Sequence, residues 1–136
     1  MKTIDILKFM GEHGIRYTEK ELPSVLDYVS YMIANDRVIE IESERGIEAV
    51  IFLSVCDDFD TFYKKPSWIY KPHDPHGKIV YVEKMVATEW NRELRSQFKD
   101  FLVNRYPNAD RAIWHRWAKW GDRKAITFKG RIKQNV

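Results

Sequence analysis

Residues 78–120 constrain the fold more than any other part of the chain. "KIVYVEKMVA" (78–87) is a short apolar run rich in β-branched residues and reads as a strand. "RAIWHRWAKW" (111–120) reads as another. Between them, Trp90, Leu94, Phe98, Phe101, Leu102 and Tyr106 recur at helical spacing, with Thr88 expected as the N-cap and Pro107 as the stop. A helix joining two strands of one sheet is a crossover, and crossovers are right-handed and set neighbouring strands parallel. At least one parallel step is therefore expected.

The flanking sequence supplies the other elements. A first helix is expected from Thr3 as N-cap, with Ile4, Leu7 and Met10 on one side and an end near Gly11 or Gly14. "TEKE" (18–21) has the spacing of a capping box. Pro23 fits the first turn that follows, and Leu22, Val25, Leu26, Val29, Met32 and Ile33 form a helical stripe. Beyond Asn35 the period becomes two. Val38, Ile39 and Ile41 alternate with Glu40, Glu42 and Glu44, "ERG" turns, and "IEAVIFLSV" returns as a mostly apolar strand. That is a hairpin with one edge strand and one more deeply buried partner. Residues 57–77 contain three prolines and read as an irregular excursion. A last hairpin is expected to turn at Gly121–Asp122. The fold class is α+β: a mixed sheet of about five strands in the order ααββ-β-α-ββ, helices packed on the sheet, one domain over 1–136.

Composition removes several classes. At 44% hydrophobic and 32% charged residues, the chain lies far from the signature of disorder. No apolar run approaches the roughly 20 residues of a membrane span. "MKTIDILKFMGEHG" is interrupted by Asp5 and Lys8, unlike a signal peptide, and Cys56 has no second cysteine to pair with. A cytoplasmic protein without a membrane partner is expected. The net charge of +3 is unevenly spread. From Arg105 onward nine Lys/Arg face two Asp/Glu, whereas "VIEIESERGIEAVIFLSVCDDFD" holds seven acids against Arg45. Such polarity can steer an anionic partner to one end or draw two faces of one domain together.

The element order, together with "IVYVEKMVA" followed by "TEWNRELRSQFKDFLVNRYP", resembles the GNAT acyltransferase fold without its usual first strand. The family's pattern there is Val-x-Pro-x-x-Arg-Gly-x-Gly. Val86 sits at the strand end, Glu89 and Trp90 occupy the positions before the helix, and Arg92 falls on the Arg. The C-terminal third is similar to the end of toxin-activating lysine acyltransferases, where a Tyr/Phe-Pro helix end leads into an Arg-Ala-Ile strand. The resemblance implies an acyl-CoA-dependent N-acyltransferase. The acyl carbonyl would lie across Met85, Val86 and Ala87, with the pyrophosphate near Asn91, Arg92 and Arg95. It assigns no catalytic residue. Glu93 and Arg95 stand where the pattern has glycines, and no glycine occurs from Lys78 to Trp120, so the donor site is degenerate. Helix-start amides hold phosphate closely only where side chains leave room. Arg92 and Arg95 would compensate by direct charge.

The alternative is a non-catalytic GNAT-like module, of a phage or mobile-element kind. It would bind nucleic acid or a protein partner through Arg116, Trp117, Lys119, Trp120, Arg123 and Lys124. Aromatic plates beside guanidinium groups suit stacked bases, and equally suit a protein interface or cation–π pairing within the chain. His73, Asp74 and His76 have an HxxH spacing but lack further ligands, and no metal is expected. Cys56, followed by Asp57 and Asp58, reads as a small buried residue, because neighbouring carboxylates raise a thiol's pKa.

Overall fold

The computed structural model describes residues 2–15, 17–57, 73–116 and 122–127, with 114–116 and 122–127 described by backbone alone. In chain order the elements are α1 (Lys2–Glu12), α2 (Leu22–Ala34), β1 (Val38–Ser43), β2 (Gly46–Cys56), β3 (Ile79–Ala87), α3 (Arg92–Arg105), β4 (Arg111–Arg116) and β5 (Asp122–Thr127). The strands form one mixed sheet in the order β1-β2-β3-β4-β5. This is the expected ααββ-β-α-ββ arrangement. The chain divides into two compact units, Met1–Phe52 with Lys84–Arg95, and Leu53–Glu83 with Ser96–Val136.

In the first unit α1 buries Ile6, Phe9 and Met10, while Ile4 is 57% exposed. The expected face is thus rotated onto Ile6 and Phe9. Both sets have helical spacing, and the one carrying the aromatic ring goes inward. Lys2 is already helical, so Thr3 lies inside α1 rather than capping it. The helix closes where the amides of His13 and Ile15 both donate to the Met10 carbonyl, at 3.2 and 3.0 Å. Gly14 supplies the left-handed φ of 94° that this turn needs.

The capping box forms. Glu21 accepts from the Thr18 amide at 3.1 Å and from its hydroxyl at 3.0 Å, and the Glu21 amide donates back to Thr18 Oγ1 at 3.2 Å. The first helical bond runs from the Leu22 amide to the Thr18 carbonyl at 3.0 Å. Of the expected stripe on α2, Val29 and Met32 are buried together with Tyr28, whereas Leu22 and Leu26 are each 41% exposed. Burial is confined to the second half of the helix. Past its end, Arg37 is 1% exposed and places its guanidinium 5.6 Å from the centre of the Tyr31 ring.

β1 and β2 form the expected hairpin, tight at Gly46, whose φ of 104° favours glycine. The register runs Val38↔Phe52 to Ile41↔Ala49, then Glu42↔Ile47. Glu48 is the extra residue, a β-bulge. β1 is the edge strand, and residues 49–56 of β2 are all buried.

In the second unit β3 pairs parallel with β4, with register Ile79↔Arg111, Val80↔Ala112 and Tyr81↔Ile113. Among the described residues the ladder holds these three pairs, although β4 has six residues. Phe98, Leu102 and Tyr106 of the α3 face are buried. β5 returns antiparallel to β4, and Asp122 pairs with Arg116. Asp122 therefore belongs to the strand rather than to the turn expected at Gly121–Asp122. The connection is 117–121, outside the described residues.

Candidate functional site

The donor segment expected from the sequence, residues 85–95, lies within the first unit. Val86 is buried, Met85 and Ala87 are half-buried, and Arg92 and Arg95 are exposed on the first turn of α3. Thr88 does not cap this helix. Asn91 does, its Oδ1 accepting the Leu94 amide at 2.9 Å. One helix-start amide is therefore already taken by the chain itself.

Thr88 is held elsewhere. Its amide donates to the Glu48 carbonyl at 2.9 Å, and its hydroxyl donates to Glu48 Oε2 at 2.8 Å. The other carboxylate oxygen, Oε1, accepts from Ser43 Oγ at 2.7 Å and lies 3.4 Å from Arg45 Nε. The hydrogen bonds from Ser43 and Thr88 hold the Glu48 carboxyl below the usual carboxylate range. The bulge explains this position. An inserted residue turns its side chain out of the ladder's alternation, and here it joins the β1–β2 turn to the segment that leads into α3.

Beside Glu48, within the same unit, opens a cleft of about 700 Å³. Its walls come from α1, the β1–β2 hairpin and residues 88–91, and include six carboxylates: Asp5, Glu12, Glu40, Glu42, Glu48 and Glu89. Lys8, Arg45 and His13 are its basic groups, so the lining carries a formal charge of −4 with the imidazole neutral. Burial pushes the Glu40 carboxyl above the usual range, and Glu42 adds to the effect while Lys2 opposes it. Lys2 Nζ lies 3.3 Å from Glu40 Oε1, yet among the described residues that oxygen accepts no hydrogen bond. His13 Nδ1 donates to the Phe9 carbonyl at 2.8 Å, and the two rings lie 4.3 Å apart.

Of the donor residues expected from the sequence, Asn91 alone lines this cleft. Of the second expected set, Arg116, Arg123 and Lys124 sit in the β4–β5 stem, whereas Trp117, Lys119 and Trp120 lie outside the described residues. The cleft residues Asp5, Lys8, Glu12, His13 and Glu48 were not expected from the sequence. Only Glu48 among them falls in the acidic run from 38 to 60; residues 5–13 carried no local signal of a site.

The HxxH spacing is used structurally at its first member. His73 Nδ1 accepts the Val55 amide at 3.0 Å, and its ring stands edge-on to Tyr106. Among the described residues no three potential ligands gather for a metal. Cys56 is buried with Ile79, Tyr81 and Ile113, as expected. No helix among the described residues is long and apolar enough to cross a membrane.

No protein-family model matches the chain, and no curated protein matches its sequence. Solved structures do. The loading GNATL domain of CurA from Lyngbya majuscula is 11% identical, over 83% of this chain and 59% of that one, with a TM-score of 0.53. The GphF GNAT-like decarboxylase in complex with isobutyryl-CoA is 12% identical, over 83% of this chain and 60% of that one, also at 0.53. The chain spans about three fifths of the length of each. At such identity the likeness is one of fold. The chain has a GNAT-like fold, α+β with a mixed sheet and, among the described residues, one helical crossover.

Proposed function

We propose that this chain binds an acyl-CoA at the segment from β3 into α3 and transfers its acyl group to an amine. The observation behind this reading is the parallel β3–β4 step, with α3 starting only a few residues after β3 ends. That arrangement points helix-start amides, with their partial positive charge, toward whatever lies at the end of β3. The neighbour solved with isobutyryl-CoA supports the choice of donor. Arg92 and Arg95 would bind phosphate oxygens in place of the missing glycine-lined backbone, against the opposing charge of Glu89 and Glu93. Met85, Val86 and Ala87 would lie along the acyl arm. Holding donor and amine in line, rather than covalent catalysis, would supply most of the rate.

Calorimetric titration with acetyl-CoA and isobutyryl-CoA tests the reading. Binding in the micromolar range is expected, weakened about tenfold or more by Arg92→Ala with Arg95→Ala. No heat and no thermal shift at millimolar acyl-CoA refutes it. Because one neighbour is called a decarboxylase, donor binding is measured before transfer: it is common to both chemistries.

A separate proposal concerns the β4–β5 hairpin, where Lys124 pairs opposite Trp114 and Arg123 opposite His115. Three basic residues of the expected grip, Arg116, Arg123 and Lys124, belong to this stem beside the 117–121 connection, which supports the reading. Salt-dependent retention on a polyanion column, lost in Trp117→Ala with Arg123→Ala, supports a nucleic-acid partner. Retention that does not change with salt refutes it.

A further inference from the structure

The cleft of the first unit holds a group suited to activating an amine. We infer that this cleft is the acceptor site, that it takes a cationic amine, and that His13 Nε2 receives the ammonium proton. The inference rests on the acyl-transfer reading above.

The imidazole carries it. A carbonyl can only accept a hydrogen bond, so the 2.8 Å contact with the Phe9 carbonyl places the hydrogen on His13 Nδ1. In the neutral ring the basic lone pair is then on Nε2. The Phe9 ring, 4.3 Å away and tilted by 32°, backs the imidazole and limits its rotation. His13 follows the end of α1, in the turn that Gly14 closes. It therefore sits on a fixed scaffold and forms part of the cleft wall.

The surrounding charges set the substrate class. Asp5, Lys8 and Glu12 line the cleft from α1, Glu40 and Glu42 from β1, Arg45 and Glu48 from the turn and bulge, and Glu89 from the segment before α3. Arg45 is engaged with Glu48. A positive imidazole is among the causes that hold Glu48 low, so a proton arriving at His13 meets an anionic neighbour. A net negative concavity concentrates cations and repels anions. Asn91, at once the α3 cap and part of the cleft wall, makes the acceptor site continuous with the donor segment.

The step balances without a further reactant. The ammonium R–NH₃⁺ gives one proton to His13 Nε2, and the amine nitrogen then attacks the thioester carbonyl carbon. The C–N bond forms and the C–S bond breaks, and the departing sulfur takes the electron pair and the nitrogen's second proton. His13 returns its proton to solvent. The products are an amide, the free thiol of CoA and one proton.

The test uses the full chain with isobutyryl-CoA as donor and spermidine or glutamate as acceptor. Donor affinity is read by calorimetry and transfer by thiol release. Spermidine is expected to support release, and glutamate to give less than a tenth of that rate. His13→Gln should keep the donor Kd within about twofold and lose about 100-fold or more in kcat, the scale of general-base catalysis. Asp5→Asn with Glu12→Gln, two cleft carboxylates on α1 away from the donor segment, should raise the spermidine KM several-fold while leaving kcat and donor Kd within about twofold. Donor binding without spermidine-dependent release overturns the inference, as does equal use of glutamate or a His13→Gln variant that is folded by its melting curve and fully active. Failure of donor binding instead overturns the acyl-transfer reading, and this inference with it.

Discussion

Replacing Gly77 with alanine tests how closely the chain returns to β2 after the 57–77 excursion. A Cβ at this position would lie 2.8 Å from the Cys56 carbonyl oxygen, 2.9 Å from the Cys56 carbonyl carbon and 3.1 Å from the Asp74 carbonyl oxygen. All three are backbone atoms, so no flexible side chain can swing aside. Cys56 ends a strand whose residues 49–56 are all buried, which leaves the 73–77 segment as the part that must move. Its attachments are the Asp74 amide donating to the Val55 carbonyl at 3.0 Å, the Val55 amide donating to His73 Nδ1 at 3.0 Å, and the Gly77 amide donating to the Asp74 carbonyl at 2.9 Å. Overpacking costs about 1–3 kcal/mol, and weakening one of these bonds adds about 1 kcal/mol. A total near 3 kcal/mol, at roughly 4 °C per kcal/mol for a chain of this size, lowers Tm by about 12 °C. Gly11→Ala is the matched control. It lies in α1 with nothing within 4 Å of a Cβ, so it should raise Tm by roughly 2–4 °C, because alanine favours a helix by about 0.5–1 kcal/mol. Scanning calorimetry of both variants decides. A Gly77→Ala Tm within about 2 °C of the parent would mean that the segment yields freely, and the close-approach reasoning would be wrong.

Two further outcomes follow from single interactions. Thr18→Ala removes one half of the capping box and should destabilise the fold by about 1 kcal/mol; the double variant with Glu21→Ala should cost little more, since each side chain works through the other. Thermal melts of the cycle check this. Glu48→Gln probes the lowered carboxyl at the bulge. The unfolded chain takes up that proton more readily than the folded one, so the stabilisation is complete above the ordinary carboxylate range and fades as pH falls through the lowered value. The variant should melt below the parent near neutral pH, with a gap that narrows below about pH 4. A gap of constant size from pH 7 to pH 3 would refute this.

Periodic features were legible in the sequence. The strand, helix and strand between 78 and 116 announced the crossover, because a change of period from two to 3.6 and back is a local property. The Thr18–Glu21 spacing announced its own hydrogen bonds for the same reason. Thr88 shows where such reading ends. Nothing near it in sequence reveals that Glu48, forty residues earlier, takes both its amide and its hydroxyl, so the cap passes to Asn91. Ile4, Leu22 and Leu26 fit helical stripes yet stay exposed, since spacing defines a face but not what covers it. The cleft was invisible as a site. It joins residues 5–13, 40–48 and 88–91, and the bulge that aims Glu48 is a matter of register, which neither strand encodes alone.

The first compact unit is not continuous along the chain: it takes in Lys84–Arg95 after Leu53–Glu83 have intervened. On a ribosome, synthesis proceeds from the N-terminus and domains usually fold as they emerge. Here a nascent chain that stops before residue 84 has Glu48 but not Thr88, and has two walls of the acidic hollow, α1 and the β1–β2 hairpin, without the third. Its assembly must wait for translation to pass residue 95.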